Sequence, residues 1–224
     1  MYELRRDGRI AGMLYLIVVV SGMFCLAYVP AQVGTTLAEA SAHAGLFRAG
    51  IAAFLVMQLA FLLLPLALYR VLADVNREVA ILMVALAVTS VPIGLAALMH
   101  RMEALSLLQA TMNHSDADFA ACLQRHGHGL RVASLFWGLW LLPFGGLVLR
   151  SARLPRVLGM LLILGGIGYI VQVFGGLVPA FAESGARQYV GIPAAIGEIG
   201  TCLWLLVFGA RAARIDNTLQ IPRP

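Results

Sequence analysis

The chain has 224 residues, of which 61% are hydrophobic and only 12% charged, with a formal net charge of +5. Soluble domains carry roughly 45–50% apolar and 25% charged residues, so there is too little charge here to solvate a water-soluble fold of this size. All 16 basic residues are arginine, and they gather at the ends of apolar runs, which answers to a membrane boundary and argues against nucleic acid as a partner.

A helix needs about 20 apolar residues to cross the hydrocarbon core. Six segments reach that length: Ile10–Val29, Leu46–Leu72, Val79–Met99, Leu130–Leu149, Val157–Val178 and Tyr189–Ala210. Barrel strands are about 10 residues long and alternate apolar with polar, whereas these runs are continuous. The expected fold is all-α: one transmembrane domain over residues 1–224, a bundle of six spanning helices. Arg5, Arg6, Arg9, Arg70, Arg77, Arg150, Arg153, Arg156, Arg211, Arg214 and Arg223 fall on one side. Arg48, Arg101, Arg125, Arg131 and Arg187 fall on the other. The positive-inside rule then puts both termini in the cytoplasm of a bacterial inner (plasma) membrane protein. The first span is expected to be retained, because it exceeds the usual 7–15 residues of a signal h-region and Glu3 and Asp7 precede it.

Arg48 opens the second span near the outer surface, and Gln58 lies 12 residues into it, just past mid-depth. Thr89 and Ser90 supply hydroxyls in the third span. The connection from His100 to Gly129 is the longest. Met102, Leu105, Leu108 and Met112 keep helical spacing, and Ser115-x-x-Asp118 reads as a capping box for a second short helix through Arg125. An outer helical hairpin over residues 100–129 is expected. It contains His100-x-x-Glu103, with both groups on one helical face, and His126-x-His128, a spacing found in metal sites. His100, Glu103, His126 and His128 are therefore the candidate metal ligands, with solvated loop histidines as the alternative reading.

Arg131 sits just inside the fourth span, where it either snorkels to lipid headgroups or turns inward to clamp an anion. Arg9-x-x-Gly12-Met13-Leu14 in the first span is echoed by Arg156-x-x-Gly159-Met160-Leu161 in the fifth. The glycines of Gly165-Gly166-x-Gly168 lie inside an apolar span with no preceding strand, which points to close helix packing and not to a nucleotide loop. Gln172 lies in the outer part of the fifth span. Glu198, in the sixth, is roughly 13.5 Å below its outer start at 1.5 Å per residue. A carboxylate at that depth requires a partner or a proton and faces a cavity or another helix. Pro193, five residues earlier, reads as a kink that makes room for it.

From Phe136 onward the chain resembles an uncharacterised bacterial membrane family, the domain of unknown function numbered 4386. The resemblance rests on Phe136-Trp137-Gly138-Leu139, Arg150-Ser151-Ala152-Arg153-Leu154-Pro155-Arg156-Val157-Leu158-Gly159, Gly165-Gly166-Ile167-Gly168-Tyr169-Ile170 and Gly197-Glu198. The N-terminal half is similar more loosely, through Arg9-Ile10-Ala11-Gly12, Leu46-Phe47-Arg48 and Leu68-Tyr69-Arg70. Where the family pattern often carries an acid and a histidine, this chain has Gln172 and Trp140. The resemblance implies a membrane architecture and supplies no reaction, cofactor or substrate.

Three functional readings follow. In the first, Glu198, Gln172, Gln58, Arg48 and Arg131 form an outer-half polar pocket for a small amphipathic or lipid-like ligand, because such sites combine an apolar lining with few convergent polar groups. The second is a membrane-embedded enzyme acting on lipid or peptide at the outer face, through a metal on the histidines or through Glu198 as acid/base. The third is an accessory subunit. The expected partners are the lipid bilayer, a lipid-like ligand, and a second copy or another membrane protein.

Overall fold

The computed structural model describes residues 2–109, 115–179 and 190–211, and every element within them is helical. His114, Arg187, Arg214, Arg223 and the expected start of the sixth span at Tyr189 lie outside the described residues. Helix α1 (Tyr2–Gly22) passes through a π-helical turn (Met23–Tyr28) into α2 (Val29–Val33), giving one apolar segment of 31 residues. The short α3 (Leu37–Ala42) precedes α4 (Ala44–Leu72), α5 (Arg77–Gln109), α6 (Asp116–Ser151), α7 (Arg156–Gly175) and α8 (Ile192–Phe208). Among the described residues, five segments are long and apolar enough to cross a membrane, and the 17-residue α8 is a shorter apolar helix. The protein is a multi-pass membrane protein built as an α-helical bundle.

Local chemistry sets the helix ends. α6 opens on the expected capping box: the Ser115 hydroxyl accepts from the Asp118 amide at 3.2 Å, and the Asp118 carboxylate accepts from the Ser115 amide at 3.2 Å. The helix does not stop near Arg125, however. It continues to Ser151 through Gly127 and Gly129, which in isolation favour an end, and Gly129 is held by packing on α5. A Cβ on Gly129 would come within 2.5 Å of Ala97. Ala152, left-handed at φ 52°, finally ends α6. Pro193 does not kink α8 either. It sits in the first turn, where its missing N–H has no helical partner to lose.

Each spanning helix packs against its neighbours in chain order, and α8 returns to α1, so the six form a closed ring. Lipid offers no hydrophobic drive between helices, so close backbone approach does most of the work. On α6 and α7, a Cβ on Gly138 or on Gly166 would come within 2.7 Å of the other's carbonyl oxygen. Where α7 meets α8, a Cβ on Gly165 would lie 2.4 Å from Ala194 Cα. Where α8 meets α1, Cβ atoms on Gly8 and Gly12 would lie 2.3 Å from Ala210 N and 2.6 Å from Leu206 N. The echoed glycines, Gly12 and Gly159, thus both serve helix crossings, but against different partners: α8 for Gly12, and the Gly145 carbonyl of α6 for Gly159.

At the arginine-rich end, Arg153 ties the α4–α5 turn to the α6–α7 turn. Its guanidinium donates to both Asp74 carboxylate oxygens, one of them at 2.6 Å, and to the carbonyl of Val71. Its own carbonyl accepts from Arg211 N at 3.2 Å.

Two sets of outcomes are expected in thermal unfolding of the detergent-solubilised protein, the first at two glycines. Gly165→Ala should destabilise by about 1–3 kcal/mol through overpacking against the α8 backbone. Gly146→Ala, with nothing within 4 Å of the new methyl, should be neutral or stabilise by up to about 1 kcal/mol. The second concerns Asp74, whose carboxyl is held below its ordinary 3.8, chiefly by the Arg153 hydrogen bond. A lowered folded pKa means that the stabilisation is complete above the ordinary value and is lost as pH falls through the lower one. Asp74 is 65% exposed, so screening limits the effect. Asp74→Asn should lower stability by about 1 kcal/mol near neutral pH, and the gap to the wild type should close as pH falls through the lowered pKa of the folded-state carboxyl.

Candidate functional site

α1 and α8 are in backbone contact from Gly8 to Gly12 and then part. Above this crossing the ring encloses a cavity of about 210 Å³. Its walls include Val18, Val19, Gly22, Met57, Phe61, Trp137, Tyr169, Ala195 and Ile199, drawn from α1, α4, α6, α7 and α8. Trp140 forms the aromatic floor: its ring lies 5.4 Å from Phe61 edge-on, 5.2 Å from Phe144 in a stack and 6.4 Å from Tyr15. The cavity reaches the outer face of the bundle between α1 and α8, where Met23 is 61% and Ile199 39% exposed.

Two polar side chains, Glu198 of α8 and Gln58 of α4, line this space. The Tyr15 hydroxyl donates to Glu198 Oε2 at 3.3 Å, and Glu198 lines the cavity. Gln58, 1% exposed, donates from Nε2 to the Val91 carbonyl at 3.1 Å, while its buried Oε1 has no partner among the described residues. Gly94 makes that pose possible, since a Cβ there would lie 2.2 Å from Gln58 Nε2. The arrangement offers acceptors to a hydroxyl or amino group carried on an apolar body.

The structure thus brings Glu198 and Gln58 to one cavity. Gln172 is half-buried one turn beyond Tyr169 on α7 and does not line it. Arg48 and Arg131 are exposed and line neither this cavity nor the second one described below. Thr89 and Ser90 turn back onto the carbonyls of Ala85 and Ala87 in their own helix, and the buried Thr201 hydroxyl has no partner. His100 Nδ1 lies 2.9 Å from Glu103 Oε2, as the one-face spacing predicts. His126 and His128 are two residues apart on a helix and so point about 200° apart. His126 is buried with Nδ1 2.9 Å from the Ala97 carbonyl, and His128 is exposed. Among the described residues no three of His, Cys, Asp and Glu come together in a way that could hold a metal.

Sequence reasoning missed Tyr15 and Arg101. Tyr15 is fully buried, and its pairing with Glu198 depends on ring closure between residues 183 positions apart. Arg101 is enclosed at 4% exposure although it follows the expected end of a span.

Among the described residues no arginine pairs with Glu198; the Tyr15 hydroxyl serves it. Tyr15→Phe should therefore cost about 1 kcal/mol. Glu198→Gln, whose amide oxygen accepts the same bond, should change stability by less than about 1 kcal/mol. A double-mutant cycle in detergent measures the coupling, which should vanish in the Tyr15→Phe background.

The family described as a domain of unknown function (DUF4386) matches residues 10–209. The chain is also similar to an uncharacterized protein of Archaeoglobus fulgidus, 28% identical over 89 residues that make up 40% of this chain and 51% of that protein. The chain thus spans about half the length of that relative. No solved structure matches. The matched region takes in most of α1 and every later helix through α8, including Tyr15, Gln58, Arg101 and Glu198, and the chain belongs to the DUF4386 family.

Proposed function

We propose that this chain is a protein of the bacterial inner (plasma) membrane, with both termini cytoplasmic, that binds a small amphipathic, lipid-like molecule in the Glu198 cavity. The observation that carries this reading is Gln58, which lines this mostly apolar cavity and whose buried Oε1 has no partner among the described residues. A buried polar atom without a partner costs stability that a ligand's hydrogen-bond donor recovers. Glu198, held by Tyr15, supplies a second acceptor, so the favoured head group is a hydroxyl or an amine. The apolar body of the ligand lies along Phe61, Trp137 and Val18. Its entry runs between α1 and α8, where the apolar lips Met23 and Ile199 meet the lipid tails. The gathering of arginines at the far end of the bundle, Arg70, Arg77, Arg150, Arg153 and Arg156 among them, supports the orientation.

Native mass spectrometry of protein extracted in mild detergent tests this. The wild type should retain a lipid-like adduct that survives exchange into fresh detergent. Gln58→Leu exchanges one hydrogen bond for relief of an unmet carbonyl, so its stability should change by no more than about 1 kcal/mol while the adduct is lost. An adduct-free wild type, or a variant that keeps the adduct unchanged, refutes the proposal.

A further inference from the structure

The second cavity lies toward the end of the bundle away from the arginine-rich turns and holds about 250 Å³. The π-helical turn separates it from the Glu198 cavity, and Leu26 lines both. Its chemistry begins with one backbone group. The Val29 N–H bonds to the Phe24 carbonyl, five residues back. The next donor in that register is Pro30, which has none. The Cys25 carbonyl is thereby left without its helical partner, and a buried carbonyl requires one. Arg101 of α5 provides it, donating from Nη1 to Cys25 O at 3.1 Å.

One carbonyl does not satisfy a guanidinium, which carries five N–H donors and a permanent positive charge. Arg101 is 4% exposed, its Nε has no partner among the described residues, and its ion stands 5.3 Å from the centre of the Phe47 ring. Among the described residues no carboxylate forms an ion pair with it. Glu39, the acid beside Gly34 on the cavity wall, is engaged elsewhere: it accepts from the amides of Thr35 at 3.1 Å and Thr36 at 3.2 Å to cap α3. The cavity around Arg101 is completed by Thr35, Leu123, Leu130 and His126. His126 Nδ1 faces the Ala97 carbonyl at 2.9 Å. A carbonyl only accepts, so Nδ1 bears the hydrogen and Nε2 of the neutral ring is an acceptor.

We propose that this cavity binds an oxyanion, namely phosphate or the phosphate ester of a head group, against Arg101. An anion supplies the missing counter-charge and takes the uncommitted N–H groups. The volume suits a polyatomic anion better than a halide. A phosphate that keeps one O–H can also donate to a histidine acceptor, which a carboxylate cannot. Arg101 stands two residues beyond Met99, the expected outer end of the third span, at the level of lipid head groups. Free phosphate and a phospholipid head share this chemistry.

Thermal unfolding of the purified full chain in a neutral detergent separates them. Sodium phosphate is compared with sodium chloride at equal ionic strength, and dihexanoyl phosphatidic acid with dihexanoylglycerol. At least one phosphate-bearing probe should raise Tm saturably over its control. A response to inorganic phosphate identifies a free-anion site, and a response to phosphatidic acid alone identifies a head-group site. Arg101→Gln should abolish the shift, and Arg48→Gln, on the exposed face of α4, should keep it. Should Arg101→Gln fail to fold, Arg101→Lys keeps the charge without the planar fork and should weaken binding by roughly tenfold. The proposal is overturned if neither probe shifts the wild type, if the Arg101 variants respond as the wild type does, or if Arg48→Gln loses the shift equally.

Discussion

A ring of helices around an internal space holds only where its seams bring backbones close enough to leave no side chain between them. In this bundle the seam that closes the ring, between α1 and α8, depends on Gly8 and Gly12, whose Cα atoms lie against the backbone of Leu206 and Ala210. Dispersion over so short a separation replaces the hydrophobic drive that lipid withholds. From Met13 to Val20, α1 carries no small residue. Val18, Val19 and Met23 on one helix face Ala195 and Ile199 on the other, and the two walls separate. The position of the Glu198 cavity therefore follows from the bulky run that succeeds Gly12 along α1. Tyr15 and Glu198 bridge the point of divergence with a single hydrogen bond.

The parts of this fold that were legible in the sequence are those governed by length and local chemistry. The spans follow from continuous apolar runs, the start of α6 from Ser115 and Asp118, and the packing role of Gly165, Gly166 and Gly168 from their place inside a span. The direction in which a side chain faces was not legible. In a soluble helix the polar face marks the outside, but in lipid the outside is apolar too. Accordingly α5 and α7 show almost no amphipathic asymmetry, and nothing in their periodicity distinguishes inward Tyr169 from Gln172 three residues on. Arg48, Arg101 and Arg131 stand at similar depths in the sequence, yet only Arg101 is enclosed.

One signal for Arg101 was present: Pro30 near the end of an apolar run implies an unpaired carbonyl, and some donor must meet it. The histidines carried another. His126 and His128 are adjacent on a strand but nearly opposed on a helix, so their value as a ligand pair rested on the element type. The length of α6 beyond Arg125 was not readable, because it depends on Gly129 meeting Ala97 of a different helix. Local propensity and tertiary contact pull in opposite directions there, and contact prevails.

The π-helical turn also sets the azimuth of everything that follows it. A π-type turn accommodates one residue more than an α-helical turn, so residues after Tyr28 are offset by about 100° from a regular α-helix. Before the turn, α1 packs on both α8 and α4; after it, the segment keeps a buried face toward α4. Gly8, Gly12 and Tyr15 meet α8, while Val29 fits against Gly50 of α4, with Cys25 and Val33 in the same buried cluster as Phe47 and Phe54. Deleting Phe24, within the π-helical turn, would restore the α-helical phase. The orphaned carbonyl would then pass from Cys25 to Leu26 and turn about 100° away from Arg101, so the oxyanion cavity and the upper half of the α1–α4 seam are both held by one supernumerary residue.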